Sequence, residues 1–75
     1  MHPLDPMITD CIKNGIDTVP AIVDVLFPGT PDYRRDYQRG RILRRLSNME
    51  KYGQAEKVGT VRLDNGQSAT QWRIL

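Results

Sequence analysis

The residues best placed to do chemistry lie between Tyr33 and Lys51. Six arginines (Arg34, Arg35, Arg39, Arg41, Arg44 and Arg45) stand against one acid, Asp36, over residues 33–45, a local charge of +5. Tyr33 and Tyr37 are interleaved with them, and Asn48 follows one turn after Arg44. A guanidinium can bond guanine O6 and N7 as a pair, and an asparagine amide can do the same for adenine N6 and N7. Guanidinium groups and tyrosine hydroxyls also bond phosphate oxygens. The alternative for such a run is a solvated charged face, and for the tyrosines it is packing on a neighbouring helix.

These side chains need a helix to align them. Thr30 is placed to cap one, Pro31 suits its first position, and Gly53 suits the residue just past its end. At about 100° per residue, Ile42, Leu43, Leu46 and Met49 fall on one apolar arc. Tyr33, Arg34, Tyr37, Arg41, Arg44, Arg45, Asn48 and Lys51 fall opposite. Arg35 and Arg39 turn toward the apolar side. Either the first two turns overhang the core, or the helix breaks at Gly40, its weakest helix former.

Charge is unevenly placed along the chain. Residues 1–32 carry a net charge of −4 and residues 46–75 carry +1, so an overall +2 conceals an acidic first third and one basic surface. Seventy-five residues make a single domain. Cys11 is alone, so no internal disulfide forms, and its place on an apolar stripe reads as core. No apolar run approaches the ~20 residues that span a bilayer. The N-terminus carries no signal-peptide pattern. The expectation is an intracellular protein with no membrane association.

Three helices and a hairpin account for the chain. Asp5 caps the first helix and Pro6 starts it; Ile8, Cys11 and Ile12 form its buried stripe and Asn14-Gly15 closes it. Met1 to Leu4 read as a frayed tail, which leaves His2 no ligand role. Ile16-Asp17 reads as a connector able to pair as a very short strand. Thr18 caps the second helix, whose apolar side is Ala21, Ile22, Val25, Leu26 and Phe27, with Val23 partly exposed. Phe27-Pro28-Gly29 ends it. The helices are expected over residues 5–14, 18–27 and 31–52. A tight turn between the last two is the pattern of a helix-turn-helix unit.

After Gly53 the period falls from 3.6 to 2, and strands are expected over 57–63 and 68–75 around the turn Asp64-Asn65-Gly66-Gln67. A two-residue Asn65-Gly66 loop pairs Leu63 with Ser68, Val61 with Thr70 and Gly59 with Trp72. That register gathers Val61, Leu63, Trp72 and Ile74 on one face, with Gly59 making room for the indole.

The order of elements, with Ile42, Leu46, Met49 and Gly53 followed by Ala55-Glu56-Lys57-Val58 and later by Trp72-Arg73-Ile74, resembles the winged helix-turn-helix family of DNA-binding domains. The resemblance implies an α+β fold, a three-helix bundle with a C-terminal hairpin wing. It implies sequence-specific binding of double-stranded DNA by a small transcriptional regulator. The third helix would enter the major groove, and the wing would meet the minor groove or the backbone. Arg41, Arg44, Arg45 and Asn48 match the family's exposed recognition face. The full candidate set is Arg34, Arg35, Tyr37, Arg39, Arg41, Arg44, Arg45, Asn48, Arg62, Asn65 and Arg73. One such module covers only ~600–1,000 Å² of its own surface on DNA. A homodimer formed through the first helix, or a protein partner, is therefore expected to add specificity. The competing expectation is a protein-interaction module on the same fold, using the acidic first helix. No Ser/His/Asp set, metal-ligand cluster or phosphate-binding glycine loop is present, so neither an enzyme nor a cofactor is expected.

Overall fold

A computed structural model describes residues 2–64 and 66–75. Three helices, α1 (Leu4–Lys13), α2 (Val19–Leu26) and α3 (Asp32–Lys51), precede an antiparallel hairpin of β1 (Ala55–Arg62) and β2 (Ser68–Ile74). The fold is α+β with a winged-helix-like layout. Among the described residues no helix is long and apolar enough to cross a membrane.

Side chains from every element make one core: Leu4, Ile8, Cys11 and Ile12 from α1, Ile22 and Val23 from α2, Ile42, Leu46 and Met49 from α3, and Ala55 and Trp72 from the hairpin. α2 needs a correction. Val23 is fully buried, whereas Val25 is 50% exposed. The buried stripe is Val19, Ile22, Val23 and Leu26, spaced i, i+3, i+4, i+7, because α2 is wedged against α1, α3 and β2 together. Leu43 is also displaced from the expected arc and stays 46% exposed. It stands about 100° round the helix from Ile42, toward the wing rather than the core.

The helix ends differ from expectation mainly in their caps. Asp5 lies inside the first turn of α1, not before it, and Thr30 donates its hydroxyl to the Phe27 carbonyl (2.6 Å) instead of capping α3. Thr18 does hold the N-cap position of α2, without a side-chain cap bond. Leu4 is buried rather than frayed, and its N–H donates to His2 Nδ1 at 3.1 Å. The expectation for Met1 lies outside the described residues. α3 ends as expected at Gly53, whose φ of +72° closes a Schellman motif: the Gln54 N–H reaches the Met49 carbonyl at 2.8 Å and the Gly53 N–H that of Glu50 at 3.1 Å.

The hairpin register is one residue off the expected pairing. Arg62 faces Ser68, Val61 faces Ala69, Thr60 faces Thr70 and Gly59 faces Gln71. The cause is the turn. The Gly66 N–H bonds the Leu63 carbonyl (3.0 Å), the Leu63 N–H bonds the Gln67 carbonyl (2.7 Å), and Gly66 takes φ +84°. These bonds pair Leu63 with Gln67 and leave three residues in the loop, one more than a type I′ turn holds. The part of that expectation resting on Asn65 lies outside the described residues. A bulge between Lys57 and Gly59 then shifts the register again, so Lys57 faces Trp72 and Ala55 faces Ile74. Val61 consequently shares a face with Ala69 and Gln71, not with Trp72. Gly59 makes no room for the indole, since a Cβ there would meet nothing within 4 Å. Lys57 covers the ring instead, its ammonium 5.7 Å from the ring centroid.

The α1–α2 connector does pair with the wing. Thr18 bridges Gln71, the Trp72 N–H donates to the Asp17 carbonyl at 2.9 Å, and Gln71 Nε2 donates to Asp17 Oδ2 at 2.7 Å. Asp17 thus ties the base of the wing to the helices.

Cys11 is buried, and that burial pushes its thiol above its ordinary value. Alkylation by iodoacetamide at neutral pH is therefore expected to be slow in the folded chain and at least ~10-fold faster in denaturant, read by mass spectrometry.

Candidate nucleic-acid interface

α3 is one uninterrupted helix of 20 residues, about 30 Å long, comparable with the longest dimension of the molecule, 31 Å. None of residues 32–41 is buried, and its first core residue is Ile42. The first turns therefore overhang the core, and Gly40 introduces no break.

Two sets of contacts hold the overhang. Arg35 reaches across to Asp24 of α2 (2.6 Å), and Arg39 pairs with Asp36 one turn earlier (2.6 Å). On the other side runs a ladder of stacked groups. The Arg41 guanidinium lies 5.2 Å from the Phe27 ring centroid and 5.9 Å from that of Tyr37, and Arg34 lies 5.4 Å from Tyr37. Arg41 Nη1 also donates to Gln38 Oε1 at 3.1 Å. Stacking and one hydrogen bond orient Arg41 without neutralising it.

Arg45 is engaged differently. Its Nε and Nη2 bond Asp5 Oδ1 and Oδ2 at 2.9 and 3.1 Å, a two-pronged contact with side chains only 21% and 13% exposed. Asp5 sits in the first turn of α1, where the helix dipole favours a carboxylate. The hydrogen bond from Arg45 holds the Asp5 carboxyl below its usual range against the opposing effect of burial, and Asp5 raises Arg45 in turn. Because the folded-state value is depressed, the stabilisation is present above the ordinary value of 3.8 and is lost as the pH falls below it. Asp5→Asn is expected to lower the urea midpoint at about pH 7, and the gap to the parent should close as the pH falls below the ordinary carboxylate value of 3.8 and through the depressed folded-state value. A gap independent of pH would separate the loss from this ion pair.

The rest of the candidate set divides between helix and wing. Arg44 is exposed, and Asn48 one turn on is half-buried. Arg62 is exposed at the end of β1 beside the turn. Arg73 faces Glu56 across the strands and forms an ion pair with it, well away from the wing tip. Asn65 lies outside the described residues. Among the described residues Arg34, Arg41, Arg44 and Arg62 meet no carboxylate. The wing stands beside α3: Leu63, Ala69 and Thr70 share a groove of about 300 Å³ with Arg39, Gly40 and Leu43. The exposed Leu43 thus lines the space between helix and wing. Among the described residues no three His, Cys, Asp or Glu side chains come together to share a metal ion.

His2, expected in a frayed tail, is tied to the start of α1. Besides the bond from Leu4, its carbonyl accepts the Asp5 N–H at 3.0 Å, so His2 closes the first turn of α1 from its N-terminal side. The sequence carries no signal for this, since a histidine two residues before a helix is ordinarily solvated.

In comparisons with known proteins, no family model matches this chain, and no curated protein or solved structure matches it significantly.

Proposed function

We propose that this chain binds double-stranded DNA as a small transcriptional regulator inside the cell, with α3 in the major groove and the hairpin wing against the minor groove or backbone. The observation that carries this reading is the row Arg34, Arg41 and Arg44 on the exposed side of α3. No carboxylate of the described residues offsets it, and a wing bearing the equally unpaired Arg62 flanks the helix. Arg44, unrestrained and next to Asn48, is the candidate for a base edge. Arg34, Arg62 and the tyrosine hydroxyls suit phosphates. Arg35 and Arg39 stay available as well. Their partners Asp24 and Asp36 are 60% and 92% exposed, and such surface pairs are worth only ~0–1 kcal/mol, so a phosphate can displace them. Arg45 positions α1 against α3. A second copy or a protein partner would extend the footprint.

A second reading, a protein-interaction module, is favoured by one observation: four of the candidate arginines already meet acids of the same chain. Titration of random duplex DNA at two salt concentrations, followed by backbone amide shifts, separates the readings. The DNA reading expects shifts centred on Arg34–Asn48 and the segment 62–67, fading at higher salt as released counterions oppose binding. An absence of shifts at low salt would transfer the assignment to a protein partner, to be sought by pull-down.

A further inference from the structure

The start of α1 and the middle of α3 enclose an open groove of about 590 Å³ lined by His2, Leu4, Tyr37, Arg41, Arg44 and Arg45. Its chemistry is one-sided. Arg41 is held by Gln38, Phe27 and Tyr37 with donors to spare, and Arg44 stands at i+3 from it. Arg45 lines the floor with its charge already met by Asp5. The His2 ring accepts the Leu4 N–H through Nδ1, so that nitrogen carries no proton and the neutral ring has its proton on Nε2. In this arrangement His2 offers its Nε2–H as a donor. The one acid on the lining, Asp36, is 92% exposed and tied to Arg39.

We infer that this groove is a seat for a phosphate group, with Arg41 and His2 as the donors and Arg44 at the rim. A guanidinium fixed in orientation before binding loses little freedom when it bonds an oxyanion. The imidazole of His2, on the α1 side of the same groove, supplies a donor from a second element. A tetrahedral phosphate, with acceptor oxygens on every side, matches donors that line one groove from two elements. The phosphate comes either from the backbone of bound DNA, in which case the seat deepens the DNA reading and rests on it, or from a free phosphorylated ligand. In the first case the start of α1, through His2, joins α3 and the wing as a third contact with the duplex.

The test uses the whole chain and its Arg41→Gln and His2→Ala variants, each checked for folding by circular dichroism. Inorganic phosphate is titrated first, following the Arg41 Nε–H, the His2 ring and the Leu4 and Gly40 amides by NMR. The seat expects these signals to move together in the parent and the response to weaken at least several-fold in both variants. Signals that stay still, or that move equally in parent and variants, overturn it, whatever the chain does with DNA. The salt dependence of random-duplex binding then identifies the source. A slope of log K against log salt that falls by about 0.9 in Arg41→Gln assigns the backbone phosphate. Duplex binding with an unchanged slope, or no duplex binding, assigns a free phosphorylated ligand, and only the latter outcome removes the DNA reading.

Discussion

Replacing Trp72 by alanine is expected to lower the unfolding free energy by about 3–5 kcal/mol, the usual cost of emptying a large buried aromatic site. Domains of this kind have only ~5–15 kcal/mol in all, so the variant should be partly unfolded at ordinary temperature. Trp72 is 2% exposed and joins the wing to the core laid down by the three helices. Its N–H also anchors the α1–α2 connector through the Asp17 carbonyl, but that bond is made by the backbone and survives the substitution. The loss is therefore one of packing. Phenylalanine gives the control. The indole Nε1 is buried without a hydrogen-bond partner among the described residues, so Trp72→Phe forfeits none of these contacts and should cost distinctly less than alanine. Urea unfolding followed by far-UV circular dichroism measures both. An alanine variant within 1 kcal/mol of the parent would mean that the hairpin is not anchored by this residue.

The second large effect concerns binding. Arg44→Gln is expected to weaken duplex DNA binding without lowering stability, because Arg44 is exposed and makes no ion pair among the described residues. If its guanidinium reads a guanine through two bonds, the loss is about 1–3 kcal/mol, or roughly 5- to 150-fold in affinity for the preferred site, with less effect on random sequence. A uniform loss across sequences, with a salt slope lower by about 0.9, would reassign Arg44 to a phosphate. Arg45→Gln makes the counterpart. It should lower stability through the loss of the Asp5 contact, and any change in DNA affinity should follow from α1 shifting on α3. Equal stability in the two variants would contradict that division of roles.

The basic helix was legible because two local patterns coincide in it. Ile42, Leu46 and Met49 recur at helical spacing on the core side, and the arginines fill what remains. The turn Gly53 and the change of period after it placed the wing within two residues of where its strands lie. What each arginine does was not legible in the same way. Arg41, Arg44 and Arg45 are near neighbours on one face of a helical wheel. Yet one is stacked between aromatic rings, one meets no carboxylate among the described residues, and one is locked to an aspartate 40 positions earlier. A wheel carries no information about the element packed alongside.

The hairpin illustrates the same boundary. Alternation established that two strands meet at Asp64-Asn65-Gly66-Gln67, but the register depended on hydrogen bonds spanning the turn and on a bulge between Lys57 and Gly59. Either device moves every side chain beyond it relative to its cross-strand neighbour, and neither has a sequence signal as strong as Asn-Gly itself.

The sequence by itself determined the α+β class, the order of three helices and a hairpin, most of the core and a concentration of positive charge on one helix. All of these follow from short-range periodicity and composition. Tertiary structure alone decided that Val23 and not Val25 faces inward, that Leu43 looks toward the wing, that Asp5 holds Arg45, and that His2 shares a groove with Arg41. In each case the deciding partner is distant in sequence or belongs to another element. The energy of a side chain depends on what the whole fold brings against it, and no local pattern encodes that.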